Sequence, residues 1–463
     1  METTSEFHPT TKIKKLLGFI NKGHERSVKT KKNIVASFLI KGVSIITSFI
    51  LVPLTIHYLN PVNYGIWLTL YSVISWFGLL DIGLGNGLRN KFAEALANND
   101  TQSAKIYVST AYAMLSIIMG SACVLFLLIN QYLDWPHILN VDSSKIFELR
   151  KVMAVLFGFF CMQLVIKLIS SILLADQRTA LAGAINTIAS VISLLVVFIL
   201  TKTTSESLLY LATSIGLINI IVPIVVSIWF YRTHYKDYTP SIKYVDFKYA
   251  KNLMSVGIMF FLFQSTALIV VATDNIIISR LMGAESVTPY NIALKYLSPI
   301  TVGFTLISAP LWSAYTEAHT LNDMDWIKRI TKKMIKIWVI VFLATIPFVA
   351  ISGYAYNLWV GREVVAPSLQ LTICAAIYVL ISSWNQIFGN FINGVSKMKV
   401  GFYLAIITAI INIPLCIFFS KYLNWGLSGI IIASSVSLIP DLIILPIQYY
   451  KIVNNKAKGI WNK

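Results

Sequence analysis

Apolar residues dominate this chain in long runs that no charged residue interrupts. Residues 179–201 and 364–396, for example, contain no Asp, Glu, Lys or Arg. About 20 apolar residues in a helix cross the hydrocarbon core of a bilayer, so these runs predict membrane-spanning helices. Turn-forming and charged residues divide the chain into twelve predicted spans: 34–57, 62–82, 105–131, 150–175, 180–202, 206–231, 251–281, 287–315, 333–357, 365–391, 398–420 and 425–449.

The composition agrees with this pattern. Of the 463 residues, 56% are hydrophobic and only 13% are charged, whereas a soluble domain carries about a quarter charged residues. We therefore predict an all-α polytopic membrane protein. No cleavable signal peptide is predicted, because the first apolar run begins near Ile34, behind a basic tail. The cysteines lie inside apolar runs, without metal or redox spacing, and are interpreted as buried thiols: Cys123, Cys161, Cys374 and Cys416.

Lysines and arginines collect on one side of the predicted membrane. The loops and tails on the side of the N-terminus carry 28 of them, and the opposite side carries seven. The positive-inside rule therefore predicts that both termini are cytoplasmic. The net charge of +18 is then mainly a topology signal that also attracts anionic lipid headgroups, and it does not indicate nucleic acid as a partner.

Three alternating glycines in DIGLGNGLRNKFAEAL, residues 81–96, look like a phosphate-binding loop. Such a loop needs a strand before it, whereas a predicted membrane span precedes these glycines and the Gly-Lys-Ser/Thr ending is missing. We interpret the glycines as the point where the backbone leaves span two. Leu88, Phe92 and Leu96 recur every four residues, with Arg89 between them, which predicts a short amphipathic helix at the cytoplasmic interface.

Two segments carry a resemblance to a known family. The first is LVPLTIHYLNPVNYGIWLTL followed by DIGLGNGLRNKFAEAL, and the second is TDNIIISRLMGAESVTPYNIALKYL at 273–297. They resemble bacterial polysaccharide transporters, the O-antigen-type lipid-linked oligosaccharide flippases of the multidrug/oligosaccharidyl-lipid/polysaccharide exporter superfamily. The resemblance extends over essentially the whole chain. It implies two six-helix lobes around a central cavity lined by spans one, two, seven and eight.

The two halves also look alike. The turn HYLNPVNYG between spans one and two matches SRLMGAESV between spans seven and eight, and Leu59 aligns with Met282 at an offset of 223 residues. Six spans followed by six spans predict a parallel repeat, with the substrate site between the halves. The predicted organisation is a basic cytoplasmic tail (1–33), an N-terminal lobe (34–232), a cytoplasmic linker (233–250), a C-terminal lobe (251–450) and a second basic tail (451–463).

A few ionisable residues fall inside the predicted spans, where a charge is costly and usually faces a partner or a cavity: Lys41, Asp81, Lys167, Asp274, Lys295 and Asp441. Counting from the hairpin turns, Lys41 lies at the depth of Asp81, and Lys295 at the depth of Asp274. These two pairs are interpreted either as ion pairs that fix helix packing or as cavity-facing lysines with gating or coupling carboxylates. Lys167 has no carboxylate at its predicted depth, so it faces an anion-attracting cavity, snorkels or is neutral.

The resemblance implies a flippase that moves polyprenyl-pyrophosphate-linked oligosaccharides across the bacterial cytoplasmic membrane. The basic residues Lys41, Lys167, Lys295 and Arg89 are the expected substrate contacts, and Asp81 and Asp274 are the expected gating or coupling groups. Nothing in the sequence indicates ATP use or a cofactor. We therefore expect a proton or sodium gradient to drive transport, with membrane lipids as further partners.

Two other functions remain open. A multidrug exporter of the same superfamily would be expected to carry acidic rather than lysine-bearing cavity residues. A polysaccharide polymerase or ligase would need a sizeable outer loop with catalytic groups, and the longest predicted outer loop, about 131–148, carries no such constellation. A metal site at His319, Asp323 and Asp325 is conceivable, although a solvated loop explains the same residues.

Overall fold

The computed structural model describes residues 25–81, 83–142, 144, 146–176, 178–254, 273–308, 311–361, 365–395 and 397–462. Across these ranges the chain is almost entirely helical and contains no β-strand. The helices are α1 (Glu25–Trp76), α2 (Leu84–Ala97), α3 (Thr101–Asn130), α4 (Trp135–Leu139), α5 (Ile146–Ile166), α6 (Leu168–Ala175), α7 (Thr179–Thr203), α8 (Leu208–Arg232), α9 (273–282), α10 (Val287–Ser308), α11 (Leu311–Thr320), α12 (Met324–Ala350), α13 (Ser352–Val360), α14 (Leu369–Gly394), α15 (Lys399–Ile417), α16 (Gly426–Ser437) and α17 (Ile439–Val453).

Nine helical stretches within the described residues are long and apolar enough to cross a membrane. They are Ala36–Asp81, Thr101–Asn130, Phe147–Ala175, Thr179–Thr203, Leu208–Arg232, Met324–Ala350, Leu369–Gly394, Lys399–Tyr422 and Gly426–Val453. The first stretch contains both predicted spans one and two. Most of predicted span seven lies outside the described residues. Predicted span eight corresponds to α10, and its end at residue 315 stays a prediction because residues 309–310 also lie outside the described residues.

A kink at Asn60 divides α1 into the two predicted spans. Asn60 has φ 62° and ψ 164°, a backbone conformation that is essentially restricted to glycine. Its side chain accepts a hydrogen bond from the Asn63 N–H at 3.0 Å and donates to Glu206 at 2.6 Å, which holds the turn. Gly283, the residue that the 223-residue offset pairs with Asn60, has φ 89° and ψ 154°. The two predicted hairpin turns therefore share one backbone conformation.

Five alternate loops of the chain meet at one end of the molecule. Asn60, Glu206, Glu285, Val365 and Leu427 line one cavity of about 660 Å³, at what we call the turn end. These five residues follow predicted spans one, five, seven, nine and eleven, so the pattern is that of a chain that crosses the molecule back and forth.

The predicted linker 233–250 lies at the opposite end and is fastened to the preceding helices. The Ser241 N–H donates to Ser109 at 3.1 Å, and the Asp246 N–H donates to Thr110 at 3.1 Å. The Tyr235 hydroxyl donates to Asp176 at 2.8 Å. Burial, and then this bond to a carboxylate, raise the pKa of Tyr235 above its usual range. The linker is thus a docked segment rather than a free tether.

Several prolines lie inside the helices and leave a carbonyl oxygen four residues earlier without its helical donor. The indole N–H of Trp359, in α13, donates to the Phe49 carbonyl that Pro53 frees, at 2.7 Å. The Ser298 hydroxyl donates to the Lys295 carbonyl that Pro299 frees, also at 2.7 Å. Side chains therefore satisfy backbone groups that no water could reach in a bilayer.

The helix α12 starts at Met324, well before the predicted boundary at residue 333. The reason is a helix cap, because the Asp323 carboxylate accepts the Trp326 N–H at 2.9 Å. Within the described side chains, no group of three or more His, Cys, Asp or Glu is arranged to hold a metal ion. The capping bond accounts for Asp323.

Candidate functional site

A carboxyl group lies buried where four helices meet. Asp274, in α9, is only 6% exposed. Its Oδ2 atom accepts hydrogen bonds from the Tyr290 hydroxyl in α10 at 2.6 Å and from the Ser434 hydroxyl in α16 at 3.3 Å. The Cys416 thiol in α15 approaches Oδ1 at 3.7 Å. Both carboxyl oxygens therefore face uncharged donors, and three other helices contribute them.

Further polar groups surround this centre. Asn412, which is fully buried in α15, donates to the Ser434 hydroxyl at 3.0 Å. Asn291 donates to Asn275 at 2.8 Å, and Asn275 donates to Ser72 of α1 at 2.9 Å. The hydrogen-bonded network thus reaches from the C-terminal half of the chain into the N-terminal half.

A cavity of about 280 Å³ opens beside Asp274. Its lining includes Asn275, Tyr290, Asn291, Ser298 and Thr301. Buried polar groups are costly in a bilayer unless they are paired or meet water. A buried carboxyl beside a cavity with several polar side chains in its lining is an arrangement in which a small cation or a proton can bind.

Lys295 is half-buried in α10, and it forms no ion pair with Asp274. The ion pair considered from the sequence is absent in this state, because Tyr290 and Ser434 occupy the carboxylate and no described carboxylate lies within ion-pair distance of Lys295. Helical spacing nevertheless puts Lys295 on the face of α10 that carries Asn291 and Ser298, both in the cavity lining.

A second polar centre lies around Asp81, in the N-terminal half. A 3₁₀ turn, Phe77–Asp81, ends α1, and the Asp81 carboxylate accepts the Gly85 N–H at 3.3 Å. Lys167, at the break between α5 and α6, lies near enough to Asp81 for their opposite charges to attract, but the two form no ion pair. The predicted role of Lys167 therefore stays a prediction. The 3₁₀ turn that ends α1 places Asp81 off the straight helix that the depth count assumed.

The other two predicted basic residues are exposed. Lys41 lies on α1 and forms no ion pair with Asp81 in this state, and the Asp81 carboxylate instead accepts the Gly85 N–H. Arg89 is exposed on α2. None of the four predicted basic residues forms an ion pair with a carboxylate among the described side chains, and Lys167 is the one that lies near Asp81.

The glycine-rich stretch is the helix start that the sequence predicted. Gly83 adopts a left-handed conformation with φ 73° and precedes α2, which confirms the predicted helix. Leu84, Leu88 and Phe92 are completely buried against the protein. The apolar face of α2 is therefore packed against the protein, and the location of the helix at the cytoplasmic interface stays a prediction.

Sequence reasoning missed the partners of Asp274. Tyr290 and Ser434 were not singled out, and Cys416 was interpreted only as a buried thiol. The available signal was the set of polar residues inside uncharged runs, of which Asn412 is one. Their meeting point depends on how four helices separated in sequence pack together.

These features define the class of the protein as a helical membrane protein whose polar centres lie between helices. Its fold is that of the MATE transporters. An inward-facing multidrug resistance MATE family transporter of the MOP superfamily matches with a TM-score of 0.70 and 15% identity, over 91% of this chain and 96% of that one. An outward-facing structure from the same superfamily matches with a TM-score of 0.64 and 16% identity, over 96% and 98%.

The chain belongs to the polysaccharide biosynthesis protein family, whose sequence profile matches residues 30–314. The MatE profile also matches residues 256–418. A candidate O-antigen transporter of Salmonella typhi is 22% identical over 404 residues, which cover 86% of this chain and 89% of that protein. A candidate O-antigen export protein of Yersinia pseudotuberculosis is 22% identical over 377 residues, covering 77% and 81%. The family resemblance seen in the sequence is thereby confirmed.

Proposed function

We propose that this protein is a flippase for lipid-linked oligosaccharides. It moves polyprenyl-pyrophosphate-linked repeat units of O-antigen or a similar surface polysaccharide from the cytoplasmic to the outer face of the cytoplasmic membrane. The family match and the relatives named as O-antigen transporters support this substrate class. The observation that carries the mechanism is the buried Asp274 carboxyl beside a cavity of about 280 Å³ whose lining includes Asn275 and Asn291.

The proposed architecture has twelve transmembrane helices in two six-helix lobes, with both termini in the cytoplasm. The shared backbone conformation at Asn60 and Gly283 supports a repeat of two halves. Cysteines introduced at Asn63 or Glu285 should react with an impermeant thiol reagent applied to intact cells. Cysteines at Asn99 or Tyr238 should react only when the inner face is exposed, and the reverse labelling pattern would overturn this orientation.

In the proposed cycle the cationic side chains attract the pyrophosphate and any acidic sugars. Lys295 and Lys167 act near the two polar centres, and Lys41 and Arg89 act at exposed positions on α1 and α2. Asp274 binds a proton or a sodium ion, and Asp81 forms part of a gate with Lys167. The polyprenyl tail stays in lipid while the two lobes expose the cavity to each face in turn, which is the alternating access typical of repeat-built transporters.

Deletion and complementation test this proposal. Loss of the protein should abolish surface polysaccharide and leave lipid-linked repeat units on the cytoplasmic face. Single repeat units that accumulate on the outer face would instead indicate a polymerase. A deletion that changes only sensitivity to cationic drugs would favour a multidrug exporter, the activity for which the inward-facing MATE transporter is named.

A further inference from the structure

The two halves of the chain approach each other closely at the turn end. The Thr288 hydroxyl, in α10, donates to the carbonyl oxygen of Pro61 at 2.6 Å. Gly65, one turn after Pro61, packs so closely on Ala284 that an added Cβ would overlap the Ala284 carbonyl oxygen. We call these two approaches together the turn contact.

The two approaches that form the turn contact are equivalent, because each half of the chain contributes the same pair of positions. The offset of 223 residues that aligns the halves pairs Gly65 with Thr288 and Pro61 with Ala284. Gly65 against Ala284 is therefore the counterpart of Thr288 against Pro61, as expected for a self-complementary interface across an approximate twofold axis. In the N-terminal half, Gly65 provides the space for the Ala284 carbonyl oxygen. In the C-terminal half, the equivalent Thr288 donates a hydrogen bond to the Pro61 carbonyl oxygen.

Other contacts between the halves lie on the same side of the molecule. The Ser279 hydroxyl in α9 donates to the Leu139 carbonyl at 2.6 Å. Deeper in the molecule, Asn275 donates to Ser72 at 2.9 Å, and Asn275 is the chain neighbour of Asp274. Small residues and single hydrogen bonds give close but modest association between membrane helices. Such a contact can open without unfolding either half.

We propose that the turn contact is the gate that closes the Asp274 cavity at the turn end, with Gly65 and Thr288 as the residues that allow it to shut. This inference rests on the alternating-access function proposed above. When the gate opens, the helices that carry Gly65 and Thr288 separate and the Ser72–Asn275 bond breaks. A side chain at Gly65 keeps the gate from closing, since the backbone of Ala284 occupies the space that the side chain needs.

Thiol accessibility tests the gate without measuring transport. Thr301 lines the Asp274 cavity, so Thr301→Cys reports access to it, in a background where Cys123, the least buried native thiol, is Cys123→Ser. Gly65→Ala should raise the rate of labelling from the turn end roughly tenfold, since an extra methyl in a packed contact shifts a two-state equilibrium by about that factor. Gly120→Ala is the matched control, because no atom lies within 4 Å of a Cβ at that position.

A second variant keeps the proposal open to refutation if the Gly65→Ala protein does not accumulate. Thr288→Val retains the shape of the side chain and removes only its hydrogen bond to Pro61. It should raise the same labelling rate roughly threefold, as expected from the loss of one hydrogen bond. If neither folded variant is labelled faster than the parent, the gate proposal is overturned.

Cross-linking provides a functional readout. Val62→Cys with Glu285→Cys, two residues from opposite halves that line the cavity at the turn end, should be bridged by a short bifunctional thiol reagent. The bridge should stop polysaccharide export until it is reduced. The control pair, Tyr58→Cys with Thr204→Cys, joins residues of one half whose hydroxyls lie 3.0 Å apart, and its bridge should leave export intact. Continued export through the bridged Val62–Glu285 pair would overturn the proposal.

The two proposals fail differently. If Gly65→Ala opens the cavity but deletion of the protein leaves surface polysaccharide unchanged, the gate stands and the flippase function falls. If deletion abolishes surface polysaccharide but neither Gly65→Ala nor Thr288→Val changes thiol access, the flippase stands and the gate falls.

Discussion

Asp274→Asn separates the hydrogen-bonding role of the buried carboxyl from its ability to bind a proton or a cation. The amide has nearly the same shape, and the hydroxyls of Tyr290 and Ser434 can accept as well as donate. We expect the free energy of unfolding to change by no more than about 1 kcal/mol. Export should fall by roughly tenfold or more. A proton or cation that no longer binds one state of the transporter more tightly than the other cannot drive the exchange between the two states.

Asp274→Ala provides the comparison for stability. It leaves the Tyr290 hydroxyl, now 2.6 Å from the carboxylate, without its partner. An unsatisfied buried polar group costs about 1–3 kcal/mol, so this variant should be less stable in detergent than Asp274→Asn. The matched control is Asp441→Asn, which changes a less buried carboxyl whose one hydrogen bond among the described residues is a 3.5 Å contact with Thr408. It should retain export.

The assay is surface polysaccharide in a complemented deletion strain, normalised to membrane protein level and paired with thermal unfolding of the purified protein. If Asp274→Asn exports at the parental rate while folded, the carboxyl has no coupling role. If Asp441→Asn fails as severely as Asp274→Asn, the loss reflects a general need for membrane carboxylates rather than the Asp274 site.

Three further predictions concern Lys295, Lys167 and Trp359. Lys295→Ala should impair export at normal protein level and Lys295→Arg should restore much of it, as measured by surface polysaccharide; normal export by the alanine variant would remove Lys295 from the pathway. Lys167→Ala should also reduce export, and if its role were only to neutralise Asp81, adding Asp81→Asn would restore export. Trp359→Phe removes the donor to the carbonyl of Phe49 and should lower the free energy of unfolding by about 0.5–1.5 kcal/mol in detergent, whereas an unchanged melting curve would mean that another group satisfies that carbonyl.

The sequence was sufficient to predict the class of fold. Uncharged runs of helix length show which segments are apolar enough to cross a bilayer, and that property is local to each segment. The hairpin turns were also predictable, since HYLNPVNYG and SRLMGAESV carry turn residues at equivalent places, and the backbone at Asn60 and Gly283 agrees. The start of α2 after the glycines was predicted for the same reason.

Only the tertiary structure decided which side chains meet. Counting residues along ideal helices suggested that Lys41 pairs with Asp81 and Lys295 with Asp274. Neither of these ion pairs is present, and Asp81, at the end of the 3₁₀ turn, accepts the Gly85 N–H and lies near Lys167. Asp274 is held by Tyr290, Ser434 and Cys416, which come from helices far apart in the sequence. Hydropathy describes how each segment partitions into lipid, but contacts between segments depend on how helices rotate and tilt against one another, and small residues and single hydrogen bonds set those angles.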